Sequence, residues 1–147
     1  MMTNGELTHE LMLQLLRTRT SFRQALMRTF KRNNIEMTFE MVQLLHCLWH
    51  EQGVSQQCLA EKIAKDKACM TNLLNNLEKK GWVKRLNDPS DGRNRLVYFT
   101  EEGEALTNRM RPLIWDLYQQ AGEKMNDKRM TASINELIKL NEIFDKL

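Results

Sequence analysis

Between Trp82 and Phe99 the chain can do little except double back. Asp88-Pro89 and Asp91-Gly92 stand almost side by side there. Proline fixes φ near the turn value, glycine accepts φ > 0, and an aspartate carboxylate bonds back to its own backbone. Val97, Tyr98 and Phe99, just beyond, favour an extended chain. The segment therefore predicts a hairpin, with strands over Trp82–Leu86 and Arg95–Phe99. Arg93 and Arg95 then stand at its tip, where they cover no core.

Everything around that hairpin reads as helix. Leu7, Leu11 and Leu15, then Phe22, Leu26 and Phe30, recur near helical spacing and predict a first helix over about residues 6–32. "RNNIE" interrupts it. Thr38 is placed to cap a second helix with Val42, Leu45 and Trp49 on one face and Gly53 as its stop. Ser55 caps a short third helix, 55–64, with Leu59 and Ile63 inward. Asp66 caps a fourth, 67–80, with Met70, Leu73, Leu74 and Leu77 inward and Gly81 closing it. Thr100, followed by Glu101 and Glu102, opens a long helix whose acids suit its positive end. Pro112 should kink or divide that helix. Ile134, Leu137, Ile138 and Ile143 mark a last helix over roughly Met130–Leu147.

Charge follows this layout. Residues 55–100 hold nine Lys and Arg against five acids, an excess of four, whereas residues 101–147 are net acidic by two. A basic middle suits an anionic polymer partner. At 147 residues with 41% hydrophobic and 28% charged side chains, the chain is long enough for one core and reads as a single domain. No apolar run approaches the ~20 residues of a membrane span. MMTNGELTHE lacks a basic-then-apolar leader pattern, so a cytoplasmic location and no membrane partner are the expectation. Cys47, Cys58 and Cys69 are odd in number and form no C-x-x-C, which argues against a disulfide framework.

Helix, short helix, tight "AKDK" connection, helix and hairpin follow one another in the order of a winged helix-turn-helix. Once its Met and Leu stripe is buried, the fourth helix leaves Lys67, Ala68, Thr71, Asn72, Asn75, Asn76 and Lys79 outward. Small side chains let a helix enter a major groove, and asparagine can pair with an adenine edge. A wing beside that helix can lay Arg93 in the adjacent minor groove, with Arg95 and Lys84 on flanking phosphates. Asp91 either orients the Arg93 guanidinium or caps the turn.

With these residues in place, positions 59–106, "LAEKIAKDKACMTNLLNNLEKKGWVKRLNDPSDGRNRLVYFTEEGEAL", resemble the core of the MarR (multiple-antibiotic-resistance regulator) family. The family's D-P-x-D-x-R wing stands as Asp88, Pro89, Asp91 and Arg93. "LEKKGWVKR" matches the end of the recognition helix and the first wing strand, and the resemblance spans nearly the whole chain. It implies a mainly α winged helix-turn-helix with a small β-wing, in which dimerisation helices flank a DNA-binding lobe of about residues 36–100. It also implies a homodimeric transcription regulator, commonly a repressor released by a small molecule or by cysteine oxidation. Ala68-Cys69 replaces the usual Ser-Thr and Asn72 a common Arg, so base preference does not carry over.

A dimer also follows from the residues themselves. Leu106, Leu113, Ile114 and Leu117, and the Ile134–Ile143 set, exceed what a small winged-helix core can cover, and such patches usually mark an interface. Two copies about a two-fold axis would suit a palindromic duplex. Arg19, Phe22, Arg23, Leu26, Phe39, Leu45, His46 and Trp49 are candidates for a pocket taking a small aromatic or phenolic ligand, against a plain-core alternative. No catalytic motif, cofactor loop or metal set is expected. Cys69, one turn into the fourth helix, is the place where a lowered thiol pKa is conceivable. Two other readings stay open: a winged-helix protein-interaction module without DNA binding, and a metal sensor using His46 and His50.

Overall fold

The computed structural model describes residues 1–63 and 65–147. Helix α1 (Asn4–Arg32) opens on a capping box, in which Thr3 accepts from the Glu6 amide and Glu6 from the Thr3 amide. Asn34, at φ 57, turns the chain after it. Thr38 caps α2 (Phe39–His50) by accepting from the Met41 amide. This helix ends three residues before Gly53, which serves instead at φ 74 in the turn into β1 (Val54–Ser55).

Ser55 and Asp66 cap α3 (Gln56–Lys62) and α4 (Lys67–Lys79) as the sequence predicts. The expected last residue of the third helix, 64, lies outside the described residues. Gly81 at φ 78 closes α4 and leads into β2 (Val83–Asn87), which pairs antiparallel with β3 (Arg95–Phe99) in the register Arg85↔Val97. The sequence reading missed β1. It is two residues long, pairs Val54 with Val97 and completes a sheet of order β1-β3-β2.

Helix α5 (Glu101–Gly122) is continuous through Pro112, so of the expected kink or division the division does not occur. Proline removes one amide donor and leaves the Asn108 carbonyl without its helical partner, but both residues are exposed, so water can take that carbonyl. Asn126 caps α6 (Asp127–Asp145), which starts three residues earlier than expected.

The chain forms two compact units, Met1–Leu113 and Ile114–Leu147. The first holds a core of Phe30, Leu44, Leu45, Leu48, Leu59, Met70, Leu74, Leu77 and Val97, all inaccessible to solvent. These are the inward faces of α1, α2, α3, α4 and the wing. At roughly 1.5–3 kcal/mol per fully buried large apolar side chain, they fix α4 and the wing as one body. In the second unit α6 buries no residue and leaves Ile134, Ile138 and Phe144 about half exposed. Among the described residues no helix is long and apolar enough to cross a membrane.

Candidate nucleic-acid interface

Helix α4 buries Met70, Leu74 and Leu77, so its opposite side faces solvent. Ala68, Asn72, Asn76 and Lys79 form the outermost ridge, with Lys67 and Cys69 exposed at its start. Thr71 and Asn75 are half-buried on the flank toward the wing. They were expected outward on helical spacing, which cannot see that a neighbouring strand covers that side.

The residue that covers it is Arg85. Its side chain is only 9% exposed. Nη2 donates to Asn75 Oδ1 and to Glu78 Oε2, each at 2.6 Å, and Nη1 lies 3.5 Å from Gln56 Oε1. Gln56 Nε2 in turn donates to Thr71 Oγ at 2.8 Å, and Thr71 donates to the Lys67 carbonyl at 2.9 Å. The Arg85 hydrogen bond holds the Glu78 carboxyl below its ordinary range, with smaller help from the Arg85 and Arg95 charges. Thus one side chain from the wing ties β2 to α4 and to the start of α3. The sequence reading did not single out Arg85, although a signal existed. Strand alternation places it on the same face as buried Val83, and a charge on an inward face needs partners.

At the wing tip, Asp91 settles into one of its two expected roles. Its carboxylate accepts from the Arg93 amide at 3.1 Å and lies 3.4 Å from Asn94 Nδ2, and its carbonyl accepts from the Asn94 amide at 3.0 Å. Asp88 similarly accepts from the Ser90 amide and hydroxyl. Asp91 therefore caps the turn. Among the described residues no ion pair restrains the exposed guanidinium of Arg93.

Arg93 and Arg95 meet Lys65 and Lys67 around a hollow of about 710 Å³ between the wing and the start of α3 and α4. Gln56, Gln57 and Glu61 also line it, so four cations face one acid. Lys84 is exposed on β2. The hollow was not foreseen from the sequence, and Lys65, Gln56 and Gln57 join the candidate residues through it.

Other expectations land differently. Cys69 is exposed, but Asp66, the cap of α4, raises its thiol pKa by hydrogen bonding and by charge. Cys47 is raised mainly by burial. His46 and His50 bring their Nε2 atoms to 3.3 Å, with the rings edge to face. Among the described residues no cluster of three or more metal-binding side chains accompanies them. In the group expected to line a ligand pocket, Leu26, Phe39 and Leu45 are core, Arg23 pairs with Glu40 at 3.7 Å, and Arg111 covers the Trp49 ring at 3.9 Å. A larger cleft, of about 1160 Å³, lies elsewhere. It runs between the end of α1, Trp82 and the first turns of α5, with Met27, Ile35 and Leu106 beside Lys31, Lys80 and Arg109.

Comparison with known proteins places this geometry. The model of the MarR family matches residues 38–94. The chain is 29% identical over 94 residues to the HTH-type transcriptional regulator TtmR of Methylorubrum extorquens, covering 64% of this chain and 48% of that protein. It is 32% identical over 82 residues to the multiple antibiotic resistance protein MarR of Escherichia coli K12, covering 55% and 56%. The matched segment thus spans about half the length of these relatives. Among solved structures, a mutant of Escherichia coli MarR complexed with operator DNA superimposes with a TM-score of 0.80 at 21% identity, over 95% of this chain and 99% of the other. A MarR-family transcriptional regulator from Rhodococcus sp. RHA1 gives 0.76 at 21%, over 91% and 94%. At such identities the likeness is one of fold, and the fold is the winged helix-turn-helix.

Proposed function

We propose, from the match of the MarR-family model to residues 38–94, that the chain is a DNA-binding transcription regulator of that family, a repressor acting as a homodimer on a palindromic operator. The observation that carries this reading is the shared frame of α4 and the wing. An exposed ridge of small and amide side chains stands beside an unrestrained arginine, with four cations around the hollow between them. Such a ridge fits a major groove, and Arg93 reaches the neighbouring minor groove, where negative potential is concentrated. Lys65, Lys67, Arg95 and Lys84 suit the phosphates between the two grooves.

Pairing of two copies rests on apolar surface that each unit leaves uncovered: Leu7, Leu11 and Leu16 on α1, and Ile134, Ile138 and Phe144 on α6. A two-fold axis would set the two α4 helices one DNA turn apart, about 34 Å. Release by a small aromatic ligand is part of the proposal. The cleft beside Trp82, where Met27, Ile35 and Leu106 stand with Lys31, Lys80 and Arg109 against Glu36 and Glu102, supports it better than the packed Leu26–Leu45 region.

Anisotropy of a labelled duplex titrated with the protein across a salt series tests the reading. Binding should weaken steeply with salt, and Arg93→Ala should cost about 1–3 kcal/mol while leaving the folded state intact. No salt-dependent binding, or an affinity untouched by Arg93→Ala at matched salt, would contradict it.

A further inference from the structure

We infer that Arg85 fixes the hydrogen-bonding character of Asn75, so that α4 offers DNA a donor at this position, reads a guanine or thymine edge against cytosine, and gives up the paired contact that singles out adenine. The inference rests on the DNA-binding reading above and gives it a specificity that the sequence alone pointed the other way.

A guanidinium has donors only, so the atom of Asn75 that faces Arg85 Nη2 at 2.6 Å must be the carbonyl oxygen. That settles which way the amide is turned. The oxygen points toward the wing, and Nδ2 with its two hydrogens is left for the outside. Pairing with adenine needs the opposite arrangement, with oxygen and nitrogen presented together to N6 and N7. Turning the amide outward would set its NH2 against the Arg85 donors, leaving a charge that is 9% exposed short of a partner. Solvent cannot make good that loss, whereas it could at an exposed arginine.

The same guanidinium reaches a second reader. Because Gln56 Oε1 faces Arg85, its Nε2 is the atom turned to Thr71, and the Thr71 proton already goes to the Lys67 carbonyl. Thr71 therefore has no donor to offer a base. The wing-side flank of α4 carries a single kind of signal, the Asn75 donor. Guanine answers it with O6 and N7 and thymine with O4, and cytosine N4 opposes it with a donor of its own. Adenine can accept it only at N7, without the paired contact at N6 that an outward-turned amide would make. Arg85 touches no base in this scheme. It is a positioning residue that acts through Asn75.

The test is selection of duplexes from a random pool by the full chain and three variants, with folding checked by circular dichroism. The wild type should favour guanine or thymine over cytosine by about fivefold or more at the position that Asn75→Asp alters. Asn75→Asp puts an acceptor outward while its other oxygen keeps Arg85, and should shift that position to cytosine or adenine. Arg85→Met frees the amide to pair with adenine N6 and N7 together and should raise adenine there, without a matching loss at the wing-contacted positions. Glu78→Gln keeps the Asn75–Arg85 bond and should leave the preference unchanged. If Arg85→Met does not fold, Asn75→Asp decides alone. The inference is overturned if Asn75→Asp and wild type select the same base there, or if folded Arg85→Met keeps the wild-type preference. A wild type that selects no sequence at all would overturn the DNA-reading proposal itself, and this inference with it.

Discussion

Replacing Gly103 with alanine should destabilise the protein although the site lies in a helix, where alanine is ordinarily the better residue by about 1 kcal/mol. A Cβ at this position would stand 1.8 Å from the Trp82 carbonyl oxygen and 2.7 Å from its carbon. Cβ contacts below 3.0 Å essentially do not occur, so α5 and the α4–β2 joint must part by more than an ångström, backbone against backbone. That movement strains the bonds that hold the start of α5. The Thr100 amide donates to the Trp82 carbonyl at 3.1 Å, the Gly103 amide to Thr100 Oγ at 3.0 Å, and the Thr100 hydroxyl to the Gly81 carbonyl. Three such bonds at about 1 kcal/mol each, less the propensity gain, leave a net loss of about 2 kcal/mol, and more if overpacking adds to it. Urea denaturation should show a midpoint lowered by that loss divided by the slope, with the slope kept. Thermal melting should fall by roughly 4–8 °C for a chain of this size. Gly92→Ala at the wing tip, where an added Cβ meets nothing within 4 Å, is the control and should change stability little. A Gly103→Ala protein as stable as wild type would refute the reasoning.

Other expectations are simpler to state. Lys79→Ala and Lys84→Ala should each weaken binding on every duplex alike and flatten the salt slope by about one unit, as loss of a phosphate contact does; anisotropy at several salt concentrations reads both. Burial, then the charges of His50 and Arg111, hold the His46 pKa below its ordinary value of 6.5. The unfolded chain therefore binds the proton first, and His46 withdraws stability as pH falls below 6.5 while leaving it whole above. His46→Gln should make the melting temperature less dependent on pH in that acid window, by differential scanning fluorimetry. Ile134→Asp with Ile138→Asp should yield a monomer by sedimentation, with the α2–β3 core still folded, because α6 buries nothing within its own chain.

What the sequence disclosed was largely what is decided locally. Thr38, Ser55 and Asp66 cap the helices they were expected to cap, because a capping oxygen meets an amide three residues on. The wing was legible for the same reason, as its turn is closed by Asp88 and Asp91 on their immediate neighbours. Strand β1 was not, since two residues become a strand only through pairing with Val97 and Leu96 more than forty positions away. The site divides along the same line. Exposure of Ala68, Asn72, Lys79 and Arg93 followed from helical period and turn chemistry. The engagement of Thr71 and Asn75 did not, because it depends on how the start of α3 and β2 lean on α4. Cys69 makes the point electrostatically: helix position alone suggested a lowered pKa, and the Asp66 cap reverses the sign.

The most direct test of the account is the arrangement of the DNA sites that the intact chain selects. Two α4 helices related by a two-fold axis predict an inverted repeat whose half-site centres lie about 10–10.5 base pairs apart, or a multiple of that. Selection from a random duplex pool, sequenced after several rounds, reads this spacing directly. The account predicts two matching half-sites at one helical turn or a multiple, with enrichment lost for Arg93→Ala. A single unpaired half-site, or no enrichment from a folded protein, would contradict it.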